Sequence, residues 1–365
     1  MSAMGTLWKR FVLRAERSSF GLNRWTGIAQ YHDPSRYLDV DRDALETYCA
    51  GASRDLFAYL APPEVRIEDL AVSRVPGGSP GGGADLLTFT SPRPSGLTPN
   101  DTVRVHRFRS TGRAEGTILF HHPAFRTGLG WIAWFTRPLR RRYDVAVMEA
   151  PYHLERAPRG TYSGERMINT NPIHLYEGLR QWMADHRALL AILEAESAGG
   201  DTRSRPAGVV GYSLGAYIAS LYSRFDPRLP VAGICTTNDY ASLIYDGVMM
   251  RSLRAAITSA GITRADWERL THSLRLDSQA RALKGERFLV FAAKYDGVEP
   301  WESLVRLAQA LAPRRLVLLP SGHSTTAVLF RGRIMRETLR FLDELAAADR
   351  LPPAVAGPAR QGQGA

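Results

Sequence analysis

Cysteine and lysine are both scarce in this chain, and each shortage excludes something. Cys49 and Cys235 are the only two cysteines in 365 residues, so no disulfide framework exists. Cys235 ends an apolar stretch and Cys49 lies in a helical one, the placement of buried thiols in a reducing compartment. Lysine occurs only at Lys9, Lys284 and Lys294, which leaves 44 of the 47 basic residues as arginine. The net charge of +11 is therefore an arginine surplus spread over a solvated surface. Its denser clusters are Arg137 to Arg142 and the first seventeen residues; no nucleic-acid-binding motif stands out in either, so no nucleic-acid partner is expected. Long apolar runs are missing as well: none reaches the ~18 residues that span a bilayer. The N-terminal apolar run is broken by Arg14 and Arg17 and lacks a small-residue cleavage site, which argues against a secretory signal and for a cytoplasmic protein. Metal-ligand spacing is absent. His121 and His122 are adjacent and point apart, and His32, His106, His174, His186 and His272 stand outside any motif, so neither metal nor cofactor is expected.

What is present is core-forming material, 44% hydrophobic residues, arranged as alternating strands and helices. Met4 to Arg17 is a basic amphipathic segment with Leu7, Trp8, Phe11 and Val12 on its apolar side. It suits an anionic membrane surface or its own domain, and packing on its own domain is the expected use. Asp41 to Leu60 reads as a helix capped by Asp41 or Asp43 and stopped by Pro62-Pro63. Val65 to Val75 reads as the first strand, and Pro76 to Gly83 as a loop. Buried strands follow at Thr117 to Phe120, Val145 to Met148, Ala207 to Val210, Val231 to Cys235, Arg287 to Ala293 and Arg315 to Leu319. The spacing predicts helices over Thr127 to Arg140, Asn171 to Glu196, Trp301 to Leu311 and Thr325 to Ala347. Such alternation implies a mostly parallel, doubly wound sheet with helices on both faces. The expected organisation is an N-terminal helical extension over 1–63, one α/β domain over 64–350 with a helical cap inserted at about 238–284, and a Pro/Gly/Gln-rich disordered tail over 351–365.

The most informative stretch is Val209-Val210-Gly211-Tyr212-Ser213-Leu214-Gly215-Ala216-Tyr217. A buried strand runs into Gly-x-Ser-x-Gly, and a helix leaves it. A serine on so tight a turn has strained backbone angles, and the residues two before and two after it crowd one another, so both are glycine. The turn lifts the Ser213 hydroxyl above the sheet and aims the Leu214 N–H and the helix N-terminus at any oxyanion formed there. On these residues the chain resembles the α/β-hydrolase superfamily, over approximately Arg104 to Leu345.

A serine hydroxyl needs a base beside it, and in this superfamily the order along the chain is nucleophile, acid, histidine. Asp296 lies in the loop after the penultimate strand and His323 in the loop after the last one, both at carboxyl ends, where Ser213 also projects. The resemblance makes Ser213 the nucleophile, His323 the general base and Asp296 its orienting acid, with Glu299 and Asp239 as rival acids. It also implies an oxyanion hole. Aligning His122-Pro123 with the superfamily's His-Gly gives Ala124 as the donor beside Leu214, since Pro123 has no N–H; Phe125 is the alternative.

Around this centre, Phe125 and Tyr212 are expected near the substrate. The Pro151-Tyr152-His153-Leu154-Glu155-Arg156 loop is similar to segments that border the acyl or alcohol pocket in some esterases. Tyr152, His153 and Arg156 are therefore candidate substrate contacts, and an Arg–Glu brace is the competing reading. In the cap, Tyr240, Leu243, Ile244, Tyr245, Val248, Met249 and Met250 would line an apolar acyl pocket, with Met249 and Met250 tuning its depth. The expected activity is hydrolysis of a small-molecule carboxylic ester or thioester through an acyl-enzyme. Acyl transfer, lysis or peroxidation on the same triad, or non-catalytic binding, remain open alternatives.

Overall fold

The computed structural model describes residues 3–25, 37, 41–79, 83–247 and 250–349. The expected tail, together with Val248 and Met249, lies outside the described residues. Nine strands form one sheet: β1 Ser73–Val75, β2 Asp85–Thr90, β3 Thr102–Phe108, β4 Thr117–His121, β5 Asp144–Met148, β6 Pro206–Tyr212, β7 Val231–Ile234, β8 Phe288–Ala293 and β9 Arg315–Leu319. Their order across the sheet is β1-β2-β3-β5-β4-β6-β7-β8-β9. The first three pair antiparallel, β3 also meets β5 antiparallel, and every later pairing is parallel.

The parallel strands are apolar because helices cover both of their faces. β4, β5, β7 and β8 are buried along their whole length, whereas β9, at the edge, alternates buried and exposed positions. Alternate residues feed two cores. Leu119 and Val209 pack on one face with Trp182, Leu189 and Leu190 of the helix Pro172–Ala198. Ile118, Phe120 and Val210 pack on the other with Ile334, Phe341 and Leu342 of the helix Arg331–Ala348. After β4 the chain adds β5 on one side and β6 on the other. The crevice beyond the carboxyl ends of β4 and β6 is thus the point where strand order reverses, the place where ligands bind in open α/β sheets.

Several expected elements are shorter or broken. Only Ser73–Val75 of the expected first strand pairs, because a 3-10 turn at Ile67–Asp69 bends the chain just before it. The sheet still begins well ahead of Arg104. The helix expected over Asp41 to Leu60 is two, Arg42–Arg54 and Leu56–Leu60, since Asp55 is extended and its side chain caps the second. Pro138 limits the helix expected over Thr127 to Arg140, which runs only Gly130–Thr136. The closing helix breaks at Phe330 into His323–Leu329 and Arg331–Ala348. No helix among the described residues is long and apolar enough to cross a membrane.

The helix Ala3–Trp25 packs against His323–Leu329. Trp8 donates its Nε1–H to Pro320 O at 2.6 Å. Val12 and Glu16 are buried, while Leu7 and Phe11 face solvent at 66% and 53% exposure.

Candidate active site

The turn after β6 holds Ser213 at φ 55°, ψ −120°, a region costly for any residue with a side chain. Its neighbours allow this geometry. A Cβ on Gly211 would stand 2.4 Å from Ala216 Cα, and one on Gly215 would stand 2.1 Å from His121 O. The glycines let the following helix, Leu214–Tyr222, start directly against the end of β4.

His323 reaches this serine from the loop after β9. Its Nε2 lies 2.9 Å from Ser213 Oγ, and its Nδ1 lies 2.9 Å from Asp296 Oδ2 and 3.1 Å from Oδ1. This pattern suits a neutral imidazole that donates from Nδ1 to the carboxylate and accepts the serine O–H at Nε2. Asp296 is held by its own loop, accepting the N–H groups of Val298 at 2.8 Å and Glu299 at 3.0 Å. Burial alone would push the His323 pKa down; the charge and hydrogen bond of Asp296 outweigh it and carry the pKa above the ordinary value. The rival acids are engaged elsewhere. Asp239 caps the helix Tyr240–Tyr245. Glu299 is fully buried away from His323, and that burial pushes its pKa well up.

Three further contacts brace the histidine. Tyr212 donates its hydroxyl to His323 O, and its ring meets the imidazole edge-on, with centroids 5.9 Å apart. Tyr212 therefore backs the histidine instead of lining the substrate space, which corrects its expected role. Glu16 accepts the N–H groups of Ser324 at 3.2 Å and Thr325 at 2.6 Å. Nothing local in the sequence marks Glu16 for this contact.

A cavity opens over Ser213, leaving about 60 Å³ for the centres of water-sized molecules. Ala124, Phe125 and Leu214 line it, as do Tyr240, Leu243 and Met250 from the helical segment between β7 and β8. Phe125 sits at φ 59°, a second strained residue at the same cavity. Ala124 and Leu214, the expected oxyanion donors, thus both line the cavity that holds Ser213. The loop carrying Ala124 is anchored by His122, whose Nε2 accepts the Ala150 N–H at 3.0 Å and whose Nδ1 lies 2.8 Å from Pro123 O. Burial pushes the His122 pKa well down, so it is a neutral brace.

Strand order, elbow and cavity together can be compared with solved structures. An acetyl xylan esterase from a Paenibacillus species superposes with a TM-score of 0.55 at 13% identity, covering 87% of this chain and 99% of that one. Acetyl xylan esterase 1 from a Thermoanaerobacterium species gives 0.54 at 15% identity, over 84% and 99%. This is an α/β-hydrolase fold. No protein-family model and no curated protein sequence matches the chain.

Within this α/β-hydrolase fold, Cys235, Asp296 and His323 place a thiol, a carboxylate and an imidazole within 4.8 Å of one another. Burial pushes the Cys235 thiol well up, and the other two groups already bond each other. The trio is thus poorly suited to hold a cation.

The loop after β5 does not reach the cavity, which corrects its expected role as a substrate contact. Arg156 is fully buried. It donates to Asp185 Oδ2 at 2.8 Å, to Asn100 O at 2.9 and 2.6 Å, and to Glu149 O at 2.8 Å. Tyr152 donates its N–H to Asn100 Oδ1 at 2.7 Å. His153 is buried against Pro151 O and pushed down to about 4 by that burial, hence neutral. Arg156 thus spends its donors on the surrounding fold, with Asp185 in place of the expected glutamate. Asp185 is held from the other side by Ser91 Oγ at 2.5 Å. Replacing Arg156 with methionine strands this carboxylate, at a cost of roughly 3–5 kcal/mol. Denaturant unfolding checks it. Loss in Arg156→Met and substantial recovery in the double variant with Asp185→Leu is the expected pattern; a single variant as stable as wild type would refute the brace.

Proposed function

We propose that this protein is a serine hydrolase that cleaves a carboxylic ester or thioester through an acyl-enzyme. The observation that carries the reading is His323 bridging Ser213 and Asp296, at 2.9 Å on each side, at the floor of a cavity. The names of the two acetyl xylan esterases lend support to an ester as the scissile group.

Ser213 Oγ attacks the carbonyl carbon as its proton passes to His323 Nε2. The carbonyl oxygen becomes an oxyanion facing the N–H groups of Leu214 and Ala124. Collapse of this intermediate breaks the bond to the leaving alkoxide or thiolate, which takes the proton from Nε2. Water then attacks the acyl-serine, gives its proton to His323 and releases the carboxylic acid, and Ser213 recovers its proton. Asp296 accepts the Nδ1–H of His323. It fixes the tautomer and stabilises the imidazolium. The small volume of the cavity, about 60 Å³ with Tyr240, Leu243 and Met250 in its wall, favours short acyl groups.

The deciding experiment is a fluorophosphonate probe followed by peptide mapping, together with esters and thioesters of graded acyl length. Modification of Ser213 and turnover of short esters support the reading. Labelling elsewhere, or none, would remove it.

A further inference from the structure

The cavity contains one charge that the mechanism above does not use. Arg126 lines it two residues beyond Ala124. Its guanidinium carbon lies 4.6 Å from the centroid of the Trp131 ring. Trp131 packs edge-on against Tyr212, and Tyr212 against His323, so the cation is held in fixed relation to the imidazole. Among the described residues Arg126 forms no ion pair and donates no hydrogen bond, and its Nε is buried without an acceptor. Arginine carries five N–H donors in a rigid fork. Elsewhere in this chain the buried guanidinium of Arg156 is fully bonded and ion-paired. A partly desolvated arginine without a counter-charge is costly unless something supplied later pairs with it.

The rest of the lining agrees. The Tyr240 hydroxyl, on another residue of the cavity wall, is also buried without a partner. Apart from Arg126 and His323 the lining is apolar or uncharged, and no aspartate or glutamate is part of it. The Arg126 charge also opposes protonation of His323, and burial holds the Arg126 pKa below its usual value. An anion seated on the guanidinium would relieve both strains, and would favour the imidazolium that forms during acyl transfer.

We infer that Arg126 recognises a carboxylate on the substrate, so that the preferred ester or thioester carries an anionic group near its scissile carbonyl. The inference rests on the ester-hydrolase reading above. It makes Arg126 a specificity residue, with the planar fork meeting the two carboxylate oxygens.

Two pairs of esters, each matched in shape and differing in charge, test it and separate the two places the anion could sit. Monomethyl succinate against methyl 4-methylpentanoate puts the carboxylate on the acyl side. O-acetylglycolate against isobutyl acetate puts it on the alcohol side. The full-length protein should favour the anionic member of at least one pair by tenfold or more in kcat/KM. Arg126→Met should cut that ratio at least tenfold, with the loss falling on the anionic ester, and Arg126→Lys should retain part of it. Protection of Ser213 from a fluorophosphonate gives a second readout, with succinate expected to protect better than 4-methylpentanoate in wild type but not in Arg126→Met. Labelled Ser213 with no preference for either anion, or a preference that survives Arg126→Met, overturns this inference alone. Absence of any labelling at Ser213 overturns the hydrolase reading and this inference with it.

Discussion

Replacing Ser213 with alanine should abolish fluorophosphonate labelling and lower ester turnover by on the order of a million-fold, the scale seen when a serine nucleophile is deleted from a triad. The size follows from the role. Without Oγ there is no acyl-enzyme, and what remains is an oxyanion site acting on water. The fold should survive. Ser213 contributes a strained φ of 55°, and its hydroxyl is bonded to His323, so alanine loses one hydrogen bond in a site already under strain. Circular dichroism and denaturant unfolding would show wild-type structure with stability within about 1 kcal/mol. A folded Ser213→Ala protein that still hydrolyses esters at near wild-type rate would place the nucleophile elsewhere.

The second large effect is expected at Asp296. The asparagine variant keeps the shape but can offer its amide to Nδ1, which favours the wrong imidazole tautomer, and a loss on the order of ten-thousand-fold in kcat follows. The pH profile distinguishes this from a general disturbance. In wild type the base must be neutral, so kcat/KM falls as pH drops through the His323 pKa, which Asp296 holds above the ordinary value of about 6.5. In Asp296→Asn the strongest raising influences vanish while burial, which lowers the pKa, remains. The acid limb of the residual activity should move to lower pH. An unmoved limb, or activity close to wild type, would mean that His323 takes its orientation from another group.

The parts of this architecture that the sequence made legible are local. Gly211 and Gly215 flank Ser213 within five residues, and the elbow they form needs nothing beyond a strand before and a helix after. Asp296 and His323 follow strands whose apolar runs are unmistakable, because those strands are covered on both faces. The loops of the three residues leave the carboxyl ends of β6, β8 and β9, which belong to one parallel set with β7 between the first two, and Ser213, His323 and Asp296 lie within hydrogen-bonding distance of one another in that order. What local pattern could not convey is which polar groups the fold consumes. Tyr152, His153 and Arg156 look like site residues by position, yet Asn100, Glu149 and Asp185 hold Tyr152 and Arg156, and His153 is buried against Pro151 O. Arg126 is the opposite case. It is one of 44 arginines, and only its place in the cavity wall without an acceptor sets it apart. Helix breaks at Asp55 and Phe330 were also hidden, since the apolar periodicity continues across both.

Glu16 and the segment it caps are 308 residues apart, so the candidate site is held together by segments remote in sequence. The contacts of the helix Ala3–Trp25 with the turn at His323 cannot form until β9 and that turn have been made. The same geometry makes the helix separable in principle. A protein lacking residues 1–25 should keep its sheet and lose kcat severalfold with little change in KM, because the imidazole wanders while the cavity persists. A synthetic peptide of residues 1–25, added in trans, should restore part of that kcat, and the same peptide with Glu16→Gln should restore less. Full activity in the shortened protein would show that the histidine needs no hold from the far end of the chain.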